Sequence, residues 1–315
     1  MGTPEFAVPS LEVLLRNQYP VKAVITAPDK QSGRGMKVNE SPVKRFAAKA
    51  GLTILQPQNL KDPEFIEELR TIRPEVQVVV AFRMLPEVVW DLPAKGTFNL
   101  HASLLPQYRG AAPINHALIN GETITGLTTF FLRHEIDTGN IIFQEEVMIH
   151  PDDNAGSLHD KLMLTGAGLV LKTMQAIEAG PVPTISQSAL IRPEQPLKTA
   201  PKIFRDDCRI NFNQPATVVR NFIRGLSPYP GAFFEAGDGD SEPVTYKVFD
   251  CETSSVDIGA PGKILVEDKK RLWISCRKSS LYITEIQMSG KKRMSTADFF
   301  LGHSFSGTWR IVNLT

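Results

Sequence analysis

The amino-acid sequence predicts an α/β protein in two parts: a doubly wound parallel sheet over residues 1–185 and a small β-barrel over residues 204–315, joined by a linker at 186–203. Three observations carry that reading. Apolar strand-like runs alternate with amphipathic helix-like runs through the first part. Prolines crowd the next stretch, at positions 181, 183, 193, 196 and 201. Beyond residue 232 short strand patterns follow one another between polar turns.

Residues 2–7, Gly-Thr-Pro-Glu-Phe-Ala, read as a strand-to-helix turn, and residues 21–26 as an apolar strand. Ser41-Pro42 offers an N-cap and a proline at the first helical position, so a helix is expected over 43–50. A short strand follows at 52–55. Asp62-Pro63-Glu64 starts the next helix in the same way, with Phe65, Ile66, Leu69 and Ile72 at helical spacing. The nearly all-apolar run 76–81 suits a parallel strand covered on both faces. Strands are then expected at 97–101, 126–132 and 141–148, and a long helix at 155–179, stopped by Gly180-Pro181. The βαβα order is Rossmann-like, and ligands in such sheets sit beyond the carboxyl ends of strands. In the second part a helix carries an apolar stripe of Ala216, Val219, Phe222 and Ile223, with Arg220 on the wetter side. Strands at 232–235, 244–249, 263–266, 272–276 and 281–288 complete an OB-like barrel.

Bulk properties narrow the function classes. A hydrophobic fraction of 42%, a charged fraction of 22% and a net charge of +1 describe a soluble globular chain. No apolar run approaches the roughly 18 residues of a membrane helix, so no membrane partner is expected. The N-terminus lacks the layout of a secretory or transit segment. Cys208, Cys251 and Cys276 form no C-x-x-C pair, so reduced buried thiols and a cytoplasmic location are expected. Residues 260–315 hold ten Lys or Arg against four acids, a basic stretch that suits phosphates or a solvated face equally.

Asn99 and His101 are the most informative residues. Side chains two apart on a strand project from one face, here at a strand end just before a loop containing Pro106 and Gly110. The amide can donate to a carbonyl oxygen gaining negative charge, and the imidazole can move protons near neutral pH. Asp137, in His134-Glu135-Ile136-Asp137-Thr138-Gly139, is either ordinary turn chemistry or the carboxylate that orients the imidazole. The loop around Gly33-Arg34-Gly35 fits no phosphate-loop spacing. It reads as an ordinary surface loop or as a flap whose Arg34 and Lys37 grip a nucleic-acid backbone. Lys291, Lys292 and Arg293 suit phosphates in the same way. The remaining histidines show no metal spacing, so no metal is expected.

Taken together, the segments GTPEFAVPSL (2–11), APDKQSGRGMKV (27–38), SPVK (41–44), FNLHASLLPQYRGAAPI (98–114), GLTTFFLRHEIDTGNII (126–142), APKI (200–203) and SGKKRM (289–294) resemble the methionyl-tRNA formyltransferase family across essentially the whole chain. The resemblance implies transfer of a formyl group from 10-formyltetrahydrofolate, as donor co-substrate, to the α-amino group of initiator methionyl-tRNA. It implies that Asn99, His101 and Asp137 form the catalytic trio. Ser103, Leu104, Leu105 and Pro106 would line the folate site with Phe82, Met84 and Leu85. Arg34 and Lys37 would approach the acceptor stem, and the second domain, with Lys291, Lys292 and Arg293, would hold the tRNA body. A monomer is expected.

The HxSLLPxYRG pattern is shared by other enzymes that use 10-formyltetrahydrofolate, so it fixes the donor better than the acceptor. A sugar-amine formyltransferase, a 10-formyltetrahydrofolate hydrolase and an inactive tRNA-binding module are the alternatives. One departure stands out. The family ordinarily has an apolar strand immediately before the GTPEF turn, central in the sheet, whereas Met1 directly precedes Gly2 here. A late-assigned start or a shortened chain is expected, with unpaired backbone and uncovered apolar faces as the physical consequence.

Overall fold

A computed structural model of the chain describes residues 1–32, 37–238, 242–305 and 309–312, and of residues 31, 32, 37 and 38 it describes the backbone alone. Two units emerge, one of residues 1–110, 124–148 and 159–199, the other of residues 111–123, 149–158 and 200–315.

In the first unit the helix starts follow the local chemistry read from the sequence. After the 3-10 turn Glu5–Ala7 comes α1 (Val8–Arg16), then β1 (Val24–Ile25) and the hairpin strands β2 (Lys30–Ser32) and β3 (Lys37–Asn39). Helix α2 (Pro42–Lys49) is capped by the Ser41 hydroxyl, which accepts from the Lys44 N–H at 3.0 Å. The strand β4 (Ile54–Leu55) precedes α3 (Pro63–Ile72), where the Asp62 carboxylate accepts from the Glu64 N–H at 3.0 Å. Phe65, Ile66 and Leu69 are buried, and Phe65 and Leu69 pack with Ile25, Leu55, Val79 and Val89.

Next come β5 (Gln77–Val80), α4 (Glu87–Trp90), β6 (Thr97–His101) and β7 (Arg109–Gly110). Helix α5 (Pro113–Ile119) belongs to the second unit. The strands β8 (Ile124–Phe131) and β9 (Ile141–Met148) and the helix α6 (Ala155–Ala179) follow. A four-stranded sheet runs β5-β6-β8-β9, while β1 and β4 pair separately. β5 and β6 are parallel, as are β1 and β4. β8 and β9 are antiparallel to their neighbours, so the sheet is mixed rather than wholly parallel. The short connection at 132–140 accounts for the antiparallel β8–β9 pair, because a parallel crossover needs a dozen or more residues.

Between β1 and β5 the sheet is bridged by two residues at the chain's start. The Gly2 N–H donates to the Ile25 carbonyl at 3.1 Å, and the Val80 N–H donates to the Met1 carbonyl at 2.9 Å. The Met1 α-ammonium donates to the Val78 carbonyl at 2.6 Å. Behind it lies a cavity of about 330 Å³ lined by Leu14, Val24, Ile25, Leu69, Val78 and Ile177 among others.

The second unit contains β10 (Thr199–Ala200) at its border, α7 (Ala216–Leu226), and then β11 (Ala232–Gly237), β12 (Val244–Ser254), β13 (Ile264–Glu267), β14 (Arg271–Cys276), β15 (Ser279–Met288), β16 (Met294–Ser295), α8 (Thr296–Gly302) and β17 (Arg310–Val312). Its antiparallel sheet is ordered β13-β14-β15-β12-β11-β17, with β16 on β15, and it curls as a half-barrel. Irregular register in β12 at Val248–Cys251 adds local twist. Helix α7 buries Ala216, Val219 and Ile223 of the stripe expected from its sequence, and Leu226 in addition. Phe222 is half-buried, and Arg220 donates to the Pro151 carbonyl at 2.8 Å. Cys208, Cys251 and Cys276 are free and buried, and burial pushes the Cys276 thiol up to about 12.

Candidate active site

β6 presents Asn99 and His101 on one face at its carboxyl end, with Asn99 opposite Val79 of β5 and His101 opposite Thr128 of β8. The His101 Nε2 atom lies 2.9 Å from the Tyr108 carbonyl oxygen. A carbonyl only accepts, so Nε2 carries the proton and Nδ1 is left toward Asp137. Nδ1 is 3.8 Å from the Asp137 Oδ2 atom, an ion-pair separation wider than a hydrogen bond, and both side chains are about nine-tenths covered. The structure therefore brings His101 and Asp137 together from sequence positions 36 residues apart.

Several contacts hold the carboxylate there. Asp137 has a left-handed backbone, with φ of 55°. Its Oδ2 accepts from the Gly110 N–H at 3.1 Å. The Gln187 amide nitrogen donates to the Asp137 and Gly139 carbonyls at 2.8 and 2.9 Å, and its oxygen accepts from Arg109 Nε and Nη2 at 3.0 and 2.6 Å. Gly139 is required by space, because a Cβ there would lie 1.6 Å from the Phe131 carbonyl oxygen. Asn99 shows a complementary feature. Its amide oxygen is buried and has no hydrogen-bond partner among the described residues. Such an orphaned acceptor costs roughly 1–3 kcal/mol unless a ligand completes it.

The 103–106 loop is shaped from beneath by β8 and β9. The Thr128 hydroxyl donates to the Ser103 carbonyl at 2.7 Å and accepts from the Leu105 N–H at 3.1 Å. The Gln144 amide donates to the Leu105 carbonyl at 2.8 Å and to Thr128 at 3.0 Å. Within this loop the Ser103 hydroxyl donates to the Gln107 carbonyl at 2.7 Å, and Leu105 packs in the core with Phe130 and Ile141. Pro106 is buried and Leu104 half-buried. Phe82 and Leu85 pack against the core around Val79 and Val89, whereas Met84 is 73% exposed.

Residues expected to meet nucleic acid fall in different settings. Arg34 lies outside the described residues, as does the Lys37 side chain. Lys291 and Lys292 are exposed. Arg293 makes a paired contact with Glu285 and lies over the Phe249 ring at 4.4 Å. Sequence reading missed three supports of the site: Thr128, Gln144 and Gln187. Thr128 left no distinguishing signal, being one of three threonines in β8 with Thr125 and Thr129. Gln187 left none, since it sits in the proline-rich stretch read as a linker. There it opens a 3-10 turn, Gln187–Leu190, and is buried. Among the described residues no cluster of three His, Cys, Asp or Glu could hold a metal, and no helix is long and apolar enough to cross a membrane.

Comparison with known proteins places this geometry. A family profile described as formyl transferase matches residues 1–173, and one described as formyl transferase, C-terminal domain, matches residues 202–304. The methionyl-tRNA formyltransferase of Bacteroides fragilis is 49% identical over 312 residues, covering 99% of this chain and 96% of that protein. That of Flavobacterium johnsoniae is 46% identical over 310 residues, covering 97% and 96%. Among solved structures, an N-formyltransferase from Helicobacter canadensis in complex with folinic acid and dTDP-3-aminofucose superposes with a TM-score of 0.61 at 21% identity, over 90% of this chain and 96% of that one. That likeness extends to the fold.

Proposed function

The chain belongs to the methionyl-tRNA formyltransferase family, and from that premise we infer that it transfers the formyl group of 10-formyltetrahydrofolate to the α-amino group of initiator methionyl-tRNA. The observation that carries the assignment of the site is the His101–Asp137 pair at the carboxyl end of β6, with Asn99 two residues before it. Attack of an amine on a formyl carbon makes a tetrahedral centre with a negative oxygen. Asn99 and protonated His101 stabilise that oxygen by donating to it. Asp137 faces Nδ1, the ring nitrogen not committed to Tyr108, and holds the ring's orientation. The Asn99 amide oxygen is buried without a partner among the described residues, which fits an acceptor completed by a donor on the substrate such as the attacking amine.

The reading assigns the donor to the loop Ser103-Leu104-Leu105-Pro106 and to Phe82, Met84 and Leu85. Since Ser103 and Leu105 face inward, Leu104 and the backbone of the loop are the parts left to meet a ligand. Arg34 and Lys37 are assigned to the acceptor stem, and Lys291, Lys292 and Arg293 to the tRNA body. Catalysis is assigned to residues 1–185, connection to 186–203 and tRNA holding to 204–315. The protein acts as a monomer in the cytoplasm.

A formylation assay comparing initiator and elongator methionyl-tRNA tests the reading. Folate-dependent formylation of the initiator form, with a rate that falls steeply with salt, is expected. Salt-insensitive formylation of a sugar amine in its place would move the chain to a different formyl-folate enzyme.

A further inference from the structure

We propose that Gln187 is a positioning residue for this reaction: its carboxamide ties the 137–139 turn to Arg109 and thereby fixes the Asp137 carboxylate opposite His101. The inference rests on the reading that His101 and Asp137 work together.

The side chain of Gln187 is 2% exposed, and its four hydrogen-bonding positions are all in use. Both amide protons go to carbonyls of the turn, those of Asp137 and Gly139. Both lone pairs on Oε1 receive guanidinium N–H groups of Arg109. The next residue, Gly110, donates its N–H to the Asp137 carboxylate. The contacts thus close a ring: Gln187 to the Asp137 carbonyl, the Asp137 carboxylate to Gly110, and Arg109 back to Gln187.

Two physical demands make such a ring necessary. Asp137 is a non-glycine residue at φ of 55°, a conformation that persists when its surroundings over-determine it. Its carboxylate also has to stay at one distance from a ring whose other nitrogen is already committed to Tyr108. No shorter or differently charged side chain can do what Gln187 does. Glu accepts but cannot donate to the two carbonyls, and Asn lacks one methylene of reach. On that reading the carboxylate has to stay fixed, and displacement of a positioning group by about 1 Å costs on the order of 10²-fold in rate.

The test is a double-mutant cycle between Gln187 and Asp137, read as kcat and KM. Gln187→Glu and Gln187→Leu keep the volume of the buried side chain. Each is expected to lower kcat by about 10- to 100-fold while leaving KM for donor and tRNA within about twofold. In an Asp137→Asn background the same changes are expected to lower kcat by less than about twofold, because their effect passes through the carboxylate. Arg109→Lys leaves the core untouched and breaks the same ring from its far side. It is expected to lower kcat by about 3- to 10-fold, with the same dependence on Asp137, and it keeps the test open if both Gln187 variants fail to fold. If Asp137→Asn is crippled but the ring variants are fully active, or if their losses multiply with that of Asp137→Asn, the positioning role is overturned and the site reading stands. If Asp137→Asn is as active as the native chain, the site reading is overturned and the inference falls with it.

Discussion

The Nε2 atom of His101 donates to the carbonyl of Tyr108 at 2.9 Å, so the loop after β6 decides which ring nitrogen meets Asp137. The arrangement resembles the orienting half of an imidazole–carboxylate pair, with a backbone carbonyl fixing the ring and leaving Nδ1 as the atom whose proton can change. Asp137 is then worth more as a charge than as a shape. Asp137→Asn keeps an oxygen for the Gly110 N–H but removes the negative charge facing Nδ1. The expected outcome is a fall in kcat of about 10²–10⁴-fold with an unchanged melting temperature. Steady-state formylation alongside thermal unfolding checks it, and a kcat within about threefold of native would remove the carboxylate from the chemistry.

Asn99 gives a sharper signature, because function and stability are expected to move in opposite directions. Its amide oxygen is buried without a partner among the described residues, so Asn99→Ala removes a desolvated polar atom that stabilises nothing in the folded chain. Stability should stay level or rise. Turnover should fall by about 10²–10³-fold, the usual effect of losing one oxyanion donor, with little change in tRNA affinity. Loss of stability with normal turnover would mark Asn99 as an ordinary structural residue.

The extent to which the site was legible follows from the range of the interactions that build it. Ser41 and Asp62 announce their helices because caps act within three residues. Asn99 and His101 announce a shared face because a strand alternates with period two. The directions of β8 and β9 are not written in their residue patterns; the brevity of 132–140 signals that β9 runs back along β8, while the long connection 102–123 leaves the direction of β8 against β6 open. Gln187 acts on residues 50 and 78 positions away, and no local pattern encodes that. Arg293 reads as one cation in a basic run, yet Glu285 and Phe249 meet it because β16 folds back on β15, which lies beside β12. Helix α8 and strands β16 and β17 are too short for a periodic signal.

Two glycines separate close packing from mere flexibility. A Cβ at Gly139 would sit 1.6 Å from the Phe131 carbonyl oxygen, so Gly139→Ala must displace the turn that carries Asp137. It is expected to cost about 1–3 kcal/mol of stability and to lower kcat as Asp137→Asn does. Gly168 lies on the exposed side of α6, and a Cβ there would meet nothing within 4 Å. Gly168→Ala should add about 0.5–1 kcal/mol and leave kcat alone. Chemical denaturation of the two variants beside the native chain distinguishes them, and equal effects at both positions would contradict the packing argument.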